Sequence, residues 1–218
     1  MTTLLQLDAS AQALERSHTR RLARGFLDTW LQHRPHDEVI TRDLARDPVP
    51  PLDTAWIAAA FTPPDARTTA MRERLVLSDR LIDEVVAADV IVMGAPMYNY
   101  GMPATLKAWV DQVARIGRTF SFDLARGDTP IEPVLHGKVL VVLSSRGEFG
   151  FAPGGPRAHL NALDPHLAAC AHYWGVAPVD HHTVAIEYQE FKDHRHDTSV
   201  AQAHADVRAL AGRLAAAR

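Results

Sequence analysis

Three short apolar runs, at residues 2–8, 89–96 and 137–145, constrain what this chain can fold into more than anything else in it. Each is continuous rather than alternating, and turn residues bound each one. A strand that is apolar on both faces must be covered on both faces, and such strands belong to parallel sheets flanked by helices. Segments 37–44 and 179–186 alternate more and read as weaker strands. Helical stripes lie between the strands. Leu22, Phe26 and Trp30 recur every four residues, flanked by Ala23, Leu27 and Leu31. Leu75, Leu81, Ile82, Val85 and Val86 mark a second stripe. Leu106, Trp109, Val110 and Val113 mark a third, with Lys107, Asp111 and Arg115 on its other face. The Ala- and Leu-rich stretches 157–175 and 198–216 read as two more helices. Strands alternating with helices predict an α/β protein: an open parallel sheet with helices on both faces. With 218 residues, one domain spanning 1–218 is expected.

Two stretches exceed that minimal pattern. Residues 46–65 are Pro-rich around a short apolar helix, and residues 118–137 form a long connection with Phe120 and Phe122 on alternate positions. Long connections of this kind are functional or interfacial more often than idle. Trp56, Phe61, Phe120 and Phe122 give the two insertions more apolar surface than a loop should show to water, so a homodimer is expected.

Composition removes several function classes. A net charge of -3 and the absence of a long Lys/Arg run leave no basic field for nucleic acid. No apolar run is long enough to span a bilayer, so no membrane role is expected. Cys170 is the only cysteine, which excludes an intrachain disulfide and a thiolate metal cage and makes a reducing, cytoplasmic location the default. It lies in an Ala-rich helix and reads as a small buried hydrophobe. There is no G-x-G-x-x-G after the first strand and no G-x-x-x-x-G-K-[ST], signatures of dinucleotide and nucleoside triphosphate sites.

In an open parallel sheet, ligands bind beyond the carboxyl ends of the strands. Three loops therefore carry the functional reading. After the first strand come Ser10 and then Ser17, His18 and Thr19 at a helix start; hydroxyls and free backbone N–H groups there suit a phosphate, although Ser17 taken alone reads first as an ordinary N-cap. After the strand at 89–96 come Met97, Tyr98, Asn99 and Tyr100, two aromatic faces and an amide that suit a planar heteroaromatic ring, or else a proline-led turn with packed tyrosines. After the strand at 137–145 come Ser145, Arg146, Gly147 and Glu148, with Arg146 an anion contact or a surface residue. A phosphate corner beside two ring-flanking loops describes a flavin mononucleotide (FMN) site. Twelve histidines invite a metal reading at 180–182 and 193–197. However, His181 and His182 point to opposite faces of a strand, and the second group reads as a polar linker, so no metal is expected.

The segment from Pro96 to Phe122, "PMYNYGMPATLKAWVDQVARIGRTFSF", resembles the FMN-dependent NADH:quinone oxidoreductases, also called FMN-dependent azoreductases. The resemblance continues through Ser10 and Ser17-His18-Thr19, through residues 42–53 and through 136–147. It implies a flavodoxin-like fold with a five-stranded parallel sheet in the order 2-1-3-4-5, a homodimer, and tightly but non-covalently held FMN. It assigns the FMN contacts to Ser10, Ser17, His18, Thr19, Met97, Tyr98, Asn99, Tyr100, Ser145, Arg146, Gly147 and Glu148. Asn99 would hold the ring edge near N5. Three departures stand out: Tyr100 replaces the family's usual Phe, Thr19 a Ser, and Glu148 a Gly.

The activity so implied passes a hydride from NADH or NADPH through FMN to a quinone or an azo compound, in ping-pong fashion. No residue stands out as a dedicated catalytic acid. Phe120, Phe122, Phe149 and Phe151 are candidates to cover the ring and stack a flat substrate, with core or dimer packing as the other role for them. The rival from another class is a flavodoxin-type electron carrier without a small-molecule substrate. Such carriers are usually strongly acidic, and a charge of -3 argues against one. A sensor that kept the fold and lost the flavin is a second rival.

Overall fold

The computed structural model describes the whole chain, Met1–Arg218. Its sheet contains β1 (Thr3–Asp8), β2 (Glu38–Asp43), β3 (Val90–Gly94), β6 (Lys138–Ser145) and β7 (Val176–Ile186), all parallel, in the order β2-β1-β3-β6-β7. The expected order 2-1-3-4-5 therefore differs from the observed one. Two short strands, β4 (Phe120–Phe122) and β5 (Ile131–Pro133), form a separate antiparallel hairpin inside the long connection, so the last two strands of the sheet are the sixth and seventh.

Alternation along the strands builds two cores. Leu5, Leu7, Ile91, Met93, Leu140 and Val142 face α3 (Thr69–Ala87), α4 (Ala104–Val113) and α5 (Asp164–Ala171), where Trp109 and Trp174 pack with ring centroids 5.4 Å apart. Leu4, Val90, Val92, Val139, Val141 and Leu143 face α1 (His18–His33) and α6 (His194–Ala216), where Phe26 and Trp30 are fully buried. Every residue of β3 and β6 is buried, as strands covered on both faces require. Leu75, Leu81, Ile82 and Val85 of α3 are buried as expected, whereas Val86 is exposed.

Four sequence expectations are corrected. The stretch 157–175 is not one helix: Pro165 lacks an N–H and fits only the first turn, so α5 begins at Asp164, and 158–160 and 172–174 are single 3₁₀ turns. The last helix begins four residues before 198, because the Asp193 carboxylate accepts from Arg195 N–H and caps it; residues 194–197 are its first turn rather than a linker. Arg115 lies beyond the end of α4 and is buried, donating to Ser78 Oγ (3.0 Å) and Asp79 Oδ1 (2.8 Å). Trp56 on α2 (Thr54–Phe61) is also buried, packed with Ala59, Ala60 and Leu75. The outer side of that insertion stays apolar, with Phe61 74% exposed beside half-exposed Ile57. Lys107 and Asp111 form the expected i,i+4 pair at 2.5 Å, and Cys170 is buried. No helix is long and apolar enough to cross a membrane.

Candidate functional site

The loops that leave the carboxyl ends of β1, β3, β6 and β7 converge on a cleft of about 470 Å³. Ten of the twelve residues assigned to a cofactor line it: Ser10, Ser17 and His18 from the first loop; Met97, Tyr98, Asn99 and Tyr100 from the second; Ser145, Gly147 and Glu148 from the third.

At one end stands the start of α1. Ser17 Oγ caps the helix by accepting from Arg20 N–H (3.2 Å), and Ser17 also lines the cleft. The N–H groups of His18 and Thr19 lie in the first turn, where no carbonyl of the helix can reach them. Thr19 itself is fully buried and bonded to Ser17 Oγ (3.2 Å), so its hydroxyl supports the corner from below instead of lining it. Arg21 can only donate, and its guanidinium lies 2.9 Å from His18 Nδ1, which leaves the His18 proton on Nε2. Burial, then the charge of Arg21 and the nearby His196 and His204, lower the His18 pKa to about 4, so this imidazole is a neutral donor at pH 7. Arg16 is the only Lys or Arg on the lining and forms no ion pair.

Beneath this corner, Arg20 reaches from α1 across the ends of β1 and β2. It grips Asp43 with two bonds (2.7 and 2.8 Å), donates to the Ser10 carbonyl (2.9 Å) and lies 3.5 Å from Asp8. Burial raises the pKa of Asp8 despite that cation, and its Oδ1 has no donor.

The central turn is a two-residue hairpin. Tyr98 and Gly101 exchange both backbone bonds at 3.0 Å, and Asn99 and Tyr100 between them have φ of 48° and 66°. A tyrosine in the left-handed region is strained by about 1 kcal/mol or more and persists only where its surroundings fix it. They do so here. Tyr100 O accepts from Ala162 N–H (2.9 Å), its ring lies 6.3 Å from that of Phe151, and its hydroxyl donates to Glu148 Oε2 (3.1 Å). Tyr98 braces the other side, its Oη accepting from Ala11 N–H (3.2 Å). The two tyrosines thus tie the turn to the loops on either side of it. The hydrogen bond and charge of Glu148 raise the Tyr100 pKa, holding the phenol protonated.

Arg146 departs from its expected role. Its side chain is buried away from the cleft, paired with Asp164 (2.6 Å) and Glu187 (3.5 Å), and it organises the loop instead of offering a charge to a ligand. Glu148 is held by Arg157 Nε (2.9 Å) as well as by Tyr100. Phe120 and Phe122 lie on the β4–β5 hairpin and line no part of the cleft; Phe120 packs on Tyr173 at 5.0 Å, and Phe122 is half exposed. No group of three or more His, Cys, Asp or Glu side chains is placed to hold a metal ion.

Of the candidate ring-covering phenylalanines, Phe151 lines the cleft and Phe149 does not; sequence reasoning missed Gln12, Arg16, Pro96, Gln189 and Glu190 on the lining. The signal for the last two was available. They follow β7, and the rule that ligands sit beyond strand carboxyl ends covers that strand as much as the other three.

Chemically, the cleft joins a corner of hydroxyls, free N–H groups, a neutral imidazole and a guanidinium to a broader end framed by two tyrosines, Asn99 and two carboxylates. A family described by the flavodoxin-like fold matches residues 2–210. The FMN-dependent NADH:quinone oxidoreductase 2 of Idiomarina loihiensis is 49% identical over 220 residues, covering 98% of this chain and 91% of the relative. The chain belongs to the FMN-dependent NADH:quinone oxidoreductase family. The Colwellia psychrerythraea FMN-dependent NADH:quinone oxidoreductase 2 is 47% identical and is covered over its full length, with 98% of this chain. Among solved structures, an FMN-dependent NADH-azoreductase from Bacillus anthracis in complex with FMN superposes with a TM-score of 0.86, at 18% identity and over 99% of this chain and all of that one, a likeness of fold.

Proposed function

We propose that this chain is an FMN-dependent NAD(P)H:quinone oxidoreductase, with azo compounds as alternative acceptors, working as one unit across residues 1–218. The observation that carries the reading is the cleft itself, in which a phosphate corner and a ring-framing turn face each other across one space. FMN, when bound, supplies the redox chemistry: it takes a hydride from a nicotinamide and gives two electrons to the acceptor.

The chain's own residues do the rest. Ser10, Ser17, the His18 Nε2–H and the first N–H groups of α1 receive the phosphate, and the positive end of the helix dipole favours it. Arg16 adds the one full positive charge. Thr19 and Arg20 hold this corner in place without touching the ligand. The 97–100 turn, fixed on both sides by its tyrosine hydroxyls, presents Asn99 and backbone groups to the ring edge near N5. Met97 and Ser145 lie next to one another, joined by Met97 N–H to Ser145 O (2.9 Å), and form the floor. Donors and dipoles fixed before the reaction stabilise charge that develops on a ring without reorganising. No side chain is placed as a general acid, so product protons come from water.

A homodimer is part of the proposal. Phe61, Ile57 and Val76 on one side and Phe122, Leu124 and Val134 on the hairpin leave apolar groups in solvent that pairing would bury. Phe120 and Phe122 would then serve a substrate only at the partner's cleft. The absence of a membrane-crossing helix fits the cytoplasmic setting proposed for such an activity. The test is NADH consumption by cofactor-stripped protein with a quinone present. Activity should rise with added FMN and saturate at one equivalent per chain. Protein that binds FMN yet consumes no NADH or NADPH would favour the electron-carrier reading.

A further inference from the structure

The cleft lining carries more negative than positive charge. Among its lining residues, Glu148 and Glu190 are the only carboxylates, and the one lining guanidinium, Arg16, belongs to the first loop with the phosphate corner. Glu190 has no ion-pair partner. Its N–H donates to Gly147 O (2.9 Å), and its side chain lies directly over Gly147, where an added Cβ would meet Glu190 Cγ at 2.9 Å. The glycine therefore lets the stem of a carboxylate lie flat on the cleft wall. Glu148 is held by the Tyr100 hydroxyl and by Arg157. Arg157 stays outside the lining, its guanidinium 4.4 Å from the centre of the Phe149 ring, so it steadies Glu148 without giving the cleft a cation.

We infer that Glu148 and Glu190 make this cleft select against electron acceptors that carry negative charge on the ring itself, an inference that rests on the function proposed above. A flat neutral quinone meets no penalty. The same ring bearing a sulfonate or carboxylate must approach both carboxylates in a space with little counter-charge. At roughly 8 Å in a wet, partly exposed site, each like charge lowers the encounter by about threefold, and less for Glu148, whose charge Arg157 offsets.

The experiment compares kcat/KM for a neutral 1,4-naphthoquinone and the same ring with one sulfonate, using FMN-loaded wild type, Glu190→Gln, Glu148→Gln and the double variant. The sulfonate changes the quinone's intrinsic reactivity, and comparing variants divides that out. The sulfonate-to-neutral ratio should rise about threefold in Glu190→Gln, less in Glu148→Gln, and most in the double variant. The differences should shrink at high salt. Dissociation constants for both quinones, read from the absorbance of the bound oxidised flavin without NADH, should shift in the same ratio. A ratio unchanged in the double variant overturns the inference alone. A wild type that reduces neither quinone contradicts the functional reading, and this inference with it.

Discussion

Replacing Arg20 with Ala tests how the first loop is held. The guanidinium makes two charge-assisted bonds to Asp43 and one to Ser10 O, and lies 3.5 Å from Asp8. Removing one partner of a buried pair costs about 3–5 kcal/mol, because the other charge is left unpaired. Here Asp43 keeps the N–H groups of Ala45 (3.0 Å) and Arg46 (3.2 Å), and its side chain is 20% exposed. The loss should therefore fall to about 2–3 kcal/mol at pH 7. Arg20→Lys restores the charge but not the two-pronged grip, and should recover about half of it. Two carboxylates without their cation titrate higher in the folded protein, so acid relieves them. The gap between wild type and Arg20→Ala should be smaller at pH 4.5 than at pH 7. Urea unfolding of the cofactor-free protein measures the stability. Quenching of FMN fluorescence measures the second consequence, a roughly tenfold weaker affinity as the Ser10 loop loses its anchor, equivalent to about 1.4 kcal/mol. A loss under about 0.5 kcal/mol with unaltered FMN affinity would refute the idea that this cluster positions the phosphate corner.

Three further outcomes follow from the geometry. His18 titrates near 4 in the fold against 6.5 when unperturbed, a depressed histidine, so its contribution to stability is complete above pH 6.5 and is lost as pH falls from there towards 4. His18→Asn should flatten that part of the stability curve, and an unchanged pH dependence would show that the imidazole is not held neutral. Gly175 has φ of 76°, and an added Cβ would lie 2.3 Å from the Leu135 carbonyl carbon. Gly175→Ala should therefore cost more than about 2 kcal/mol in urea unfolding, and a neutral result would mean that this turn is not packed as described. The ping-pong order expected of this activity has nicotinamide and acceptor use the cleft in turn, so initial-rate plots against NADH at several quinone concentrations should be parallel; intersecting lines would require both to be bound together.

The sheet was legible because its inner strands must be apolar on both faces, and their continuous apolar runs end at turn residues. The β4–β5 hairpin was not, since three-residue strands leave no period to read. Pro165 announced the start of α5 in the sequence, but the Ala-rich run around it outweighed that one residue. The site was legible where chemistry and position agreed, as at Ser17, which caps a helix and faces the cleft together. Arg146 and Arg115 misled because a lone arginine in a sequence looks like a surface residue or an anion contact. Only tertiary structure shows that Asp164, Glu187 and Asp79 neutralise them inside the protein. The tie between Tyr100 and Glu148 was equally invisible: each looked like an isolated departure from its family, and they turn out to be partners 48 residues apart.

The central claim is that this cleft holds FMN and passes reducing equivalents through it. The most direct measurement is the visible spectrum of the FMN-loaded protein under nitrogen, before and after NADH and then after a quinone. The account predicts flavin bands that bleach with NADH and return with the quinone. Bands that persist with both NADH and NADPH, or protein that retains no flavin, would contradict it.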